Sequence, residues 1–205
     1  MRLLIALLLA SAPALAAVPE SGEGTIALLP GLRTIFPTNN GYLVDQGATH
    51  SQLQPGGIAS FGYQYDEALH FRIDLGYMVD RYRFIGGGDL SVRSIPVLIG
   101  LDTVLWRAPS FTLYGGGGIG YSLNTGTRNG TNNEANSTAA FLALGLRVRL
   151  GGPLALVIED RFTLASAQVD AGNSTQSLNV GGNFLAVGLM VHFLQPEEKS
   201  YTPTR

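Results

Sequence analysis

The chain reads as an all-β protein, an eight-stranded antiparallel up-and-down transmembrane β-barrel. Three observations predict it. Apolar residues alternate with polar or small ones through eight stretches, long polar connections take turns with tight ones, and no apolar run beyond the first seventeen residues approaches helical spanning length. Period two places every second side chain on one face of a sheet. A bilayer satisfies no backbone hydrogen bond, so a chain that crosses without helices crosses as a closed ring of strands, each of ~9–11 residues.

The elements follow in order. Residues 1–17, MRLLIALLLASAPALAA, carry one charge at Arg2, an apolar core from Leu3 to Leu9 and a small-x-small pattern at Ala14, Leu15 and Ala16. That is the pattern of a cleaved signal peptide, with a core too short to span ~30 Å of hydrocarbon. Residues 18–194 are expected to form the barrel domain and residues 195–205 a periplasmic tail. Strands are predicted over Thr25–Thr34, Gly56–Tyr65, Leu69–Val79, Leu90–Leu105, Phe111–Ser122, Leu142–Leu150, Pro153–Ala165 and Leu185–Phe193. The third shows the period most plainly. Leu69, Phe71, Ile73, Leu75, Tyr77 and Val79 line one face, and His70, Arg72, Asp74, Gly76, Met78 and Asp80 the other.

Long polar loops are expected at 37–54, 81–89, 123–138 and 166–180, and tight connections near 65–68, 105–110 and 151–153. Short periplasmic turns facing longer exterior loops are the connection pattern of an outer-membrane barrel, and an even strand count puts both chain ends in the periplasm. Pro30 and Pro96 fall inside predicted strands. Each removes a ladder donor, so a bulge or local irregularity is expected at both. Gly115 to Gly118 weaken the fifth strand but leave room for bulky inward groups such as Tyr114 and nearby arginines.

Composition narrows the function classes. The formal net charge is −2 and the sole lysine is Lys199, which argues against a nucleic-acid partner held through clustered cations. There is no cysteine, so disulfides, thiolate metal sites and an acyl anchor on an N-terminal cysteine are excluded.

Five segments carry a resemblance: IDLGY at 73–77, SIPVLIGL at 94–101, LYGGGGIGY at 113–121, VIEDRFT at 157–163 and AVGLMVHF at 186–193. The chain resembles the small eight-stranded outer-membrane barrels, the superfamily of the outer membrane protein A membrane domain and outer membrane protein X. The resemblance covers essentially the whole mature chain. It implies that the closing segment is an assembly signal, with Gly188, Val191 and Phe193 in the positions read by barrel assembly machinery. Two departures stand out: Ala186 occupies the polar first position, and twelve residues follow Phe193.

On the faces opposite the apolar stripe stand Arg72, Asp74, Asp102, Arg147, Arg149, Glu159 and Arg161. An isolated charge in a narrow lumen loses several kcal/mol of hydration, so these groups are read as a structural salt-bridge network rather than a catalytic cluster. In the resembled family such networks plug the interior. Strict alternation turns Asp160 toward lipid, which a bulge or a headgroup-level position would relieve. Aromatic girdles are expected from Phe71, Trp106, Phe111 and Phe193 at the inner rim and from Tyr77, Tyr82, Phe84 and Tyr121 at the outer.

No catalytic, cofactor-binding or metal site is predicted. His50 lies in a predicted outer loop beside Ser51, but adjacent side chains do not generally meet as nucleophile and base. His70 and His192 are read as satisfied polar residues near the periplasmic end, and no spacing suggests zinc. Gly115, Gly117 and Gly120 match a dinucleotide glycine pattern only formally, with no helix after them, and the Asn129, Asn136 and Asn173 triplets read as loop composition. The expected protein is a non-enzymatic monomer in the outer membrane, exported by a cleaved signal peptide, with a filled lumen and a structural or surface-interaction role. Its expected partners are outer-membrane lipids and lipopolysaccharide, the assembly machinery and host or cell-surface ligands reached through the loops. A narrow channel for small solutes and a lipid-modifying enzyme are the alternatives.

Overall fold

In the computed structural model of the chain, eight long strands form the wall. They are β1 (Gly24–Thr34), β2 (Gln54–Gln64), β3 (Leu69–Phe84), β4 (Asp89–Arg107), β5 (Phe111–Arg128), β6 (Ser137–Gly151), β7 (Leu154–Asp170) and β8 (Gly182–Phe193). The structure describes residues 22–34, 48–50, 53–85, 88–128, 130–170 and 175–193. The predicted signal segment, the tail with Lys199, and Ser51, Asn129 and Asn173 lie outside the described residues. Each strand pairs antiparallel with the next in sequence, and β1 pairs with β8 from Gly24 against Phe193 to Thr34 against Asn183, so the sheet closes. Among the described residues no helix occurs.

One ladder row gives the stagger of the ring. Starting at Gln64 on β2, it passes His70, Asp102, Gly116, Ala143, Arg161, Phe184 and Arg33 and returns to β2 at Gln54, ten residues from its start. A stagger of this size tilts the strands by ~35–45° and leaves an interior that side chains can fill. Apolar residues face out: Ile73, Ile99, Ile119, Leu142, Leu144, Leu185 and Leu189 are all more than half exposed. The inward set contains the buried charges. This is the polarity of a barrel solvated by lipid and the reverse of a soluble one.

The two ends differ. At one, tight turns join β2 to β3, β4 to β5 and β6 to β7. Asp66 Oδ1 accepts from the backbone N–H groups of Ala68 and Leu69 at 2.7 Å each, an Asx-type turn, and Gly151 and Gly152 take φ of 111° and 56° after β6. At the other end the described parts of the expected loops at 81–89, 123–138 and 166–180 are largely strand, while most of the loop expected at 37–54 lies outside the described residues. The segment read as loop at 81–89 is a continuation of β3 and β4, paired out to Arg83 against Asp89. Residues 123–138 hold the end of β5 paired with a short strand, Thr131–Glu134, and 166–180 hold the end of β7 paired with Thr175–Asn179. Ala48–His50 pairs with Tyr82–Phe84. These ribbons lengthen the wall beyond the apolar belt.

Each proline interrupts one ladder, the local irregularity expected there, without a bulge. The β1–β8 ladder skips Leu29 and Pro30 and resumes in the same register, while β1–β2 runs through unbroken; the β3–β4 ladder does the same at Pro96. The missing donor falls on one side of each strand, and small partners let the chains close over it: Gly76 lies opposite Pro96, where a Cβ would sit 2.6 Å from the ring. The register shifts lie instead at Val104/Trp106 and Arg149/Gly151, both beside tight turns. Two girdle aromatics are misplaced by the sequence reading, because Tyr82 and Phe84 occupy inward positions of the lengthened β3 and are buried. Asp160 points outward with the alternation unbroken, between Leu144 and Leu185, and accepts a 2.7 Å hydrogen bond from Asn183 Nδ2. No bulge occurs there; the Asn183 carboxamide partners the carboxylate.

Candidate functional site

The inward positions of β3, β4, β6 and β7 meet in the middle of the barrel. Arg72 on β3 donates from Nη1 to Glu159 Oε2 at 2.7 Å and from Nε to Asp74 Oδ1 at 3.1 Å. Arg161 donates from Nη2 to Glu159 Oε1 at 2.6 Å and lies 2.9 Å from Asp74 Oδ2. Nearer the tight turns, Arg147 Nη2 donates to Asp102 Oδ2 at 2.7 Å, and Arg72 Nη1 reaches Asp102 Oδ1 at 3.3 Å. Three carboxylates and three guanidiniums thus form one connected cluster of balanced charge. Short cross-strand reach makes this possible, since residues two apart on one strand share an inward face.

Of the seven charged residues singled out from sequence, these six come together. Arg149 does not: it sits half-buried beside the β6 register shift, its backbone N–H bonded to Ser110 O at 3.0 Å. Tyr114, expected to point inward, does so, and its hydroxyl joins the cluster by donating to Glu159 Oε2 at 2.8 Å, a partner the sequence did not indicate. It crosses the lumen because Gly145 faces it, where a Cβ would meet the ring at 2.3 Å. Phe141 fills the next space against Gly100 and Gly118, with the Arg161 guanidinium 4.4 Å from its ring centre.

A second ion pair was also missed. Arg33 on β1 donates from Nη1 to Asp80 Oδ2 at 2.9 Å, and its other nitrogen donates to the carbonyls of Val180 and of Gly181, the latter at 2.8 Å. Both side chains are buried. The signal was present: Arg33 is the lone cation in an otherwise uncharged first strand, on the face of Leu29. Asp80 lay where the sequence suggested a loop was about to begin. Between this pair and the central cluster is a cavity of about 20 Å³, bordered by Arg33, Asp74, Ser94, Pro96, Arg161 and Phe184. An apolar cluster of Leu29, Ile58, Met78, Phe184 and Met190 also packs in the lumen, with the buried polar Thr25, Gln54, Ser60 and Gln64 on the same β1 and β2 faces.

One arrangement resembles a nucleophile and base. Thr25 Oγ1 is 2.9 Å from His70 Nε2, and His70 Nδ1 is 3.3 Å from Asp102 Oδ2. Its parts are 4, 2 and 1% exposed, and Asp102 is already held by two guanidiniums, so a substrate has no path to Thr25 in this packing. His192 is elsewhere, 3.3 Å from Glu23 Oε2 at the turn end. His50 lies in Ala48–His50, on the ribbon. Among the described residues no three His, Asp or Glu side chains are placed to hold a metal ion.

A closed ring of eight antiparallel strands, apolar outside and packed with paired charge inside, defines a membrane-spanning barrel of the outer-membrane type. The chain belongs to the outer membrane protein beta-barrel domain family, whose model matches residues 3–193. Neisserial surface protein A is similar in fold, with a TM-score of 0.59 at 15% identity over 84% of this chain and 98% of that one. OprG from Pseudomonas aeruginosa gives 0.57 at 12% identity over 86% and 98%. Ail, the attachment invasion locus protein of Yersinia pestis, solved with the heparin analogue sucrose octasulfate, gives 0.52 at 11% identity over 84% and 99%. No curated protein matches the sequence significantly. The protein is an outer-membrane β-barrel.

Proposed function

We propose that this protein is a non-enzymatic, lumen-filled scaffold that works through the surface it raises at the ribbon end. The observation that carries this reading is the filling of the barrel: a charge-balanced cluster, Tyr114, Phe141 and the Arg33–Asp80 pair occupy successive levels, with a residual cavity of about 20 Å³. A barrel with no room for passage or for a substrate acts through its exterior. The ribbons are the part of that exterior built from exposed polar residues, such as Thr131 to Glu134. Attachment, the role in the name of one structural relative, is the role we bring to this chain.

Under this reading residues 1–17 are removed on export, the assembly machinery reads Gly188, Val191 and Phe193, and the barrel works as a monomer. Gly188 faces inward, and Val191 and Phe193 face the lipid side. The test is adhesion. Cells carrying the full chain should bind host-cell or matrix surfaces, and removal of residues 126–133, which shortens the β5–β6 ribbon without entering the apolar belt, should weaken binding. Unchanged adhesion by a correctly inserted variant contradicts the role of that ribbon.

A further inference from the structure

The outer wall of β3, β4 and β5 carries a feature that filling and adhesion leave unused. Just above the apolar belt is a concavity of about 370 Å³ lined by Tyr77, Val79, Arg81, Ser91, Arg93, Thr125, Thr127 and Asn132. The ladders fix its shape. Val79, Arg93 and Thr125 stand abreast on the three strands, and Arg81, Ser91 and Thr127 stand abreast one outward step further on, with Asn132 opposite Thr127. Arg81 and Arg93 are therefore diagonal cross-strand neighbours, a separation of ~7–8 Å at the backbone. Long side chains can converge on one anion across that span.

The partners and positions of the other described arginines set this pair apart. Arg33, Arg72, Arg147 and Arg161 are buried in ion pairs, Arg83 lies 3.7 Å from Asp89, Arg107 donates to Glu67 O, Arg128 lies 4.3 Å from the Phe84 ring centre, and Arg149 is half-buried at the tight-turn end, far from the ribbons. Arg81 and Arg93 are exposed and have no ion pair among the described residues. No carboxylate lines the concavity. Glu134 stands opposite Thr125, a further strand away from Arg93. Neutral donors complete the lining: the Ser91 and Thr125 hydroxyls, and the amide nitrogen of Asn132, whose oxygen accepts from Thr127 at 2.7 Å.

Position decides the class of ligand. Directly below on the same face lie Tyr77, Ile95 and Leu123, then Leu75, Val97 and Tyr121, all on the lipid-facing side of the wall. The concavity opens sideways at the upper edge of that belt, the depth of lipid headgroups, and at the ribbon end, which faces the exterior. A ligand that satisfies both zones carries a phosphate at headgroup depth and acyl chains beneath it. We infer that Arg81 and Arg93, with Ser91, Thr125 and Asn132, form a docking site for the phosphorylated headgroup of an outer-leaflet glycolipid. Guanidiniums suit the task, because they hold phosphate oxygens in fork geometry. The inference is independent of whether the lumen conducts.

The test compares the full-chain protein, purified from outer membranes in mild detergent, with its Arg81→Gln/Arg93→Gln variant by native mass spectrometry against added lipid A. The wild type should retain bisphosphorylated lipid A about tenfold or more better than dephosphorylated lipid A, as loss of charge-assisted hydrogen bonds implies, and the variant should lose that preference. Heat-modifiable gel mobility reports whether the variant is a closed barrel. An Arg81→Lys/Arg93→Lys variant, which keeps the charge, should retain part of the preference. Equal retention by wild type and the Gln variant overturns the site. So does a Gln variant that loses only a soluble polyanion, sucrose octasulfate, while its lipid A preference is unchanged; the arginines would then face a glycan.

Discussion

Glu159 shows what holds the interior together. Its two oxygens accept from Arg72, Arg161 and Tyr114 at 2.6 to 2.8 Å, and the residue is 1% exposed. Removing one partner of a buried ion cluster leaves uncompensated charge, which typically costs ~3–5 kcal/mol. Glu159→Ala should therefore lower the unfolding free energy of the barrel, read from urea titration in lipid vesicles, by an amount in that range, whereas Tyr114→Phe, which removes one hydrogen bond, should cost about 1–2 kcal/mol. Equal, small effects of both would mean that the cluster is not what stabilises the lumen. The inward placement of these charges was legible in the sequence, because period two sorts residues by face. Which charge meets which was not. Pairing depends on the ten-residue stagger, a property of the closed ring that no single strand encodes, and for that reason the Tyr114–Glu159 bond and the Arg33–Asp80 pair went unseen.

The strands were legible where one face is apolar and became illegible where both faces turn polar. Above the belt, β3 reads Asp80, Arg81, Tyr82, Arg83 and β5 reads Thr125, Gly126, Thr127, Arg128, sequences whose composition resembles loops. They continue as ribbon because backbone pairing, not burial, holds them. A local cue existed in the Asn-Gly dipeptide of the sequence: Arg128 pairs with Thr131, and Gly130 just before Thr131 has φ of 82°. Asn-Gly is the dipeptide that tight hairpin turns favour. No atom lies within 4 Å of where a Cβ would be, so a substitution there acts through the backbone alone. Gly130→Ala should destabilise the ribbon by about 1 kcal/mol, seen as faster amide hydrogen exchange at Thr127 and Thr131 with the rates of β6 and β7 inside the belt unchanged. Uniform acceleration across the barrel would show that ribbon and wall open as one unit.

At the scale of the whole molecule, eight strands staggered by ten residues enclose a space that side chains can fill, and this sequence fills it unevenly. The charge cluster gathers on β3, β4, β6 and β7, an apolar cluster around Leu29, Ile58, Phe184 and Met190 packs on the other side, and an ion pair tied to the carbonyls of Val180 and Gly181 lies toward the ribbons. The outside is apolar around the belt and basic at one place above it. A rigid wall presenting polar ribbons, anchored among lipids, is the working form this arrangement supports. Its central claim is that the barrel is closed to solutes. The most direct test is the conductance, in planar bilayers, of the protein purified from outer membranes and verified as a folded barrel by heat-modifiable mobility. A barrel filled in this way is silent at the level of single insertions; stable, reproducible ion-conducting steps would mean instead that the inward charges line a channel.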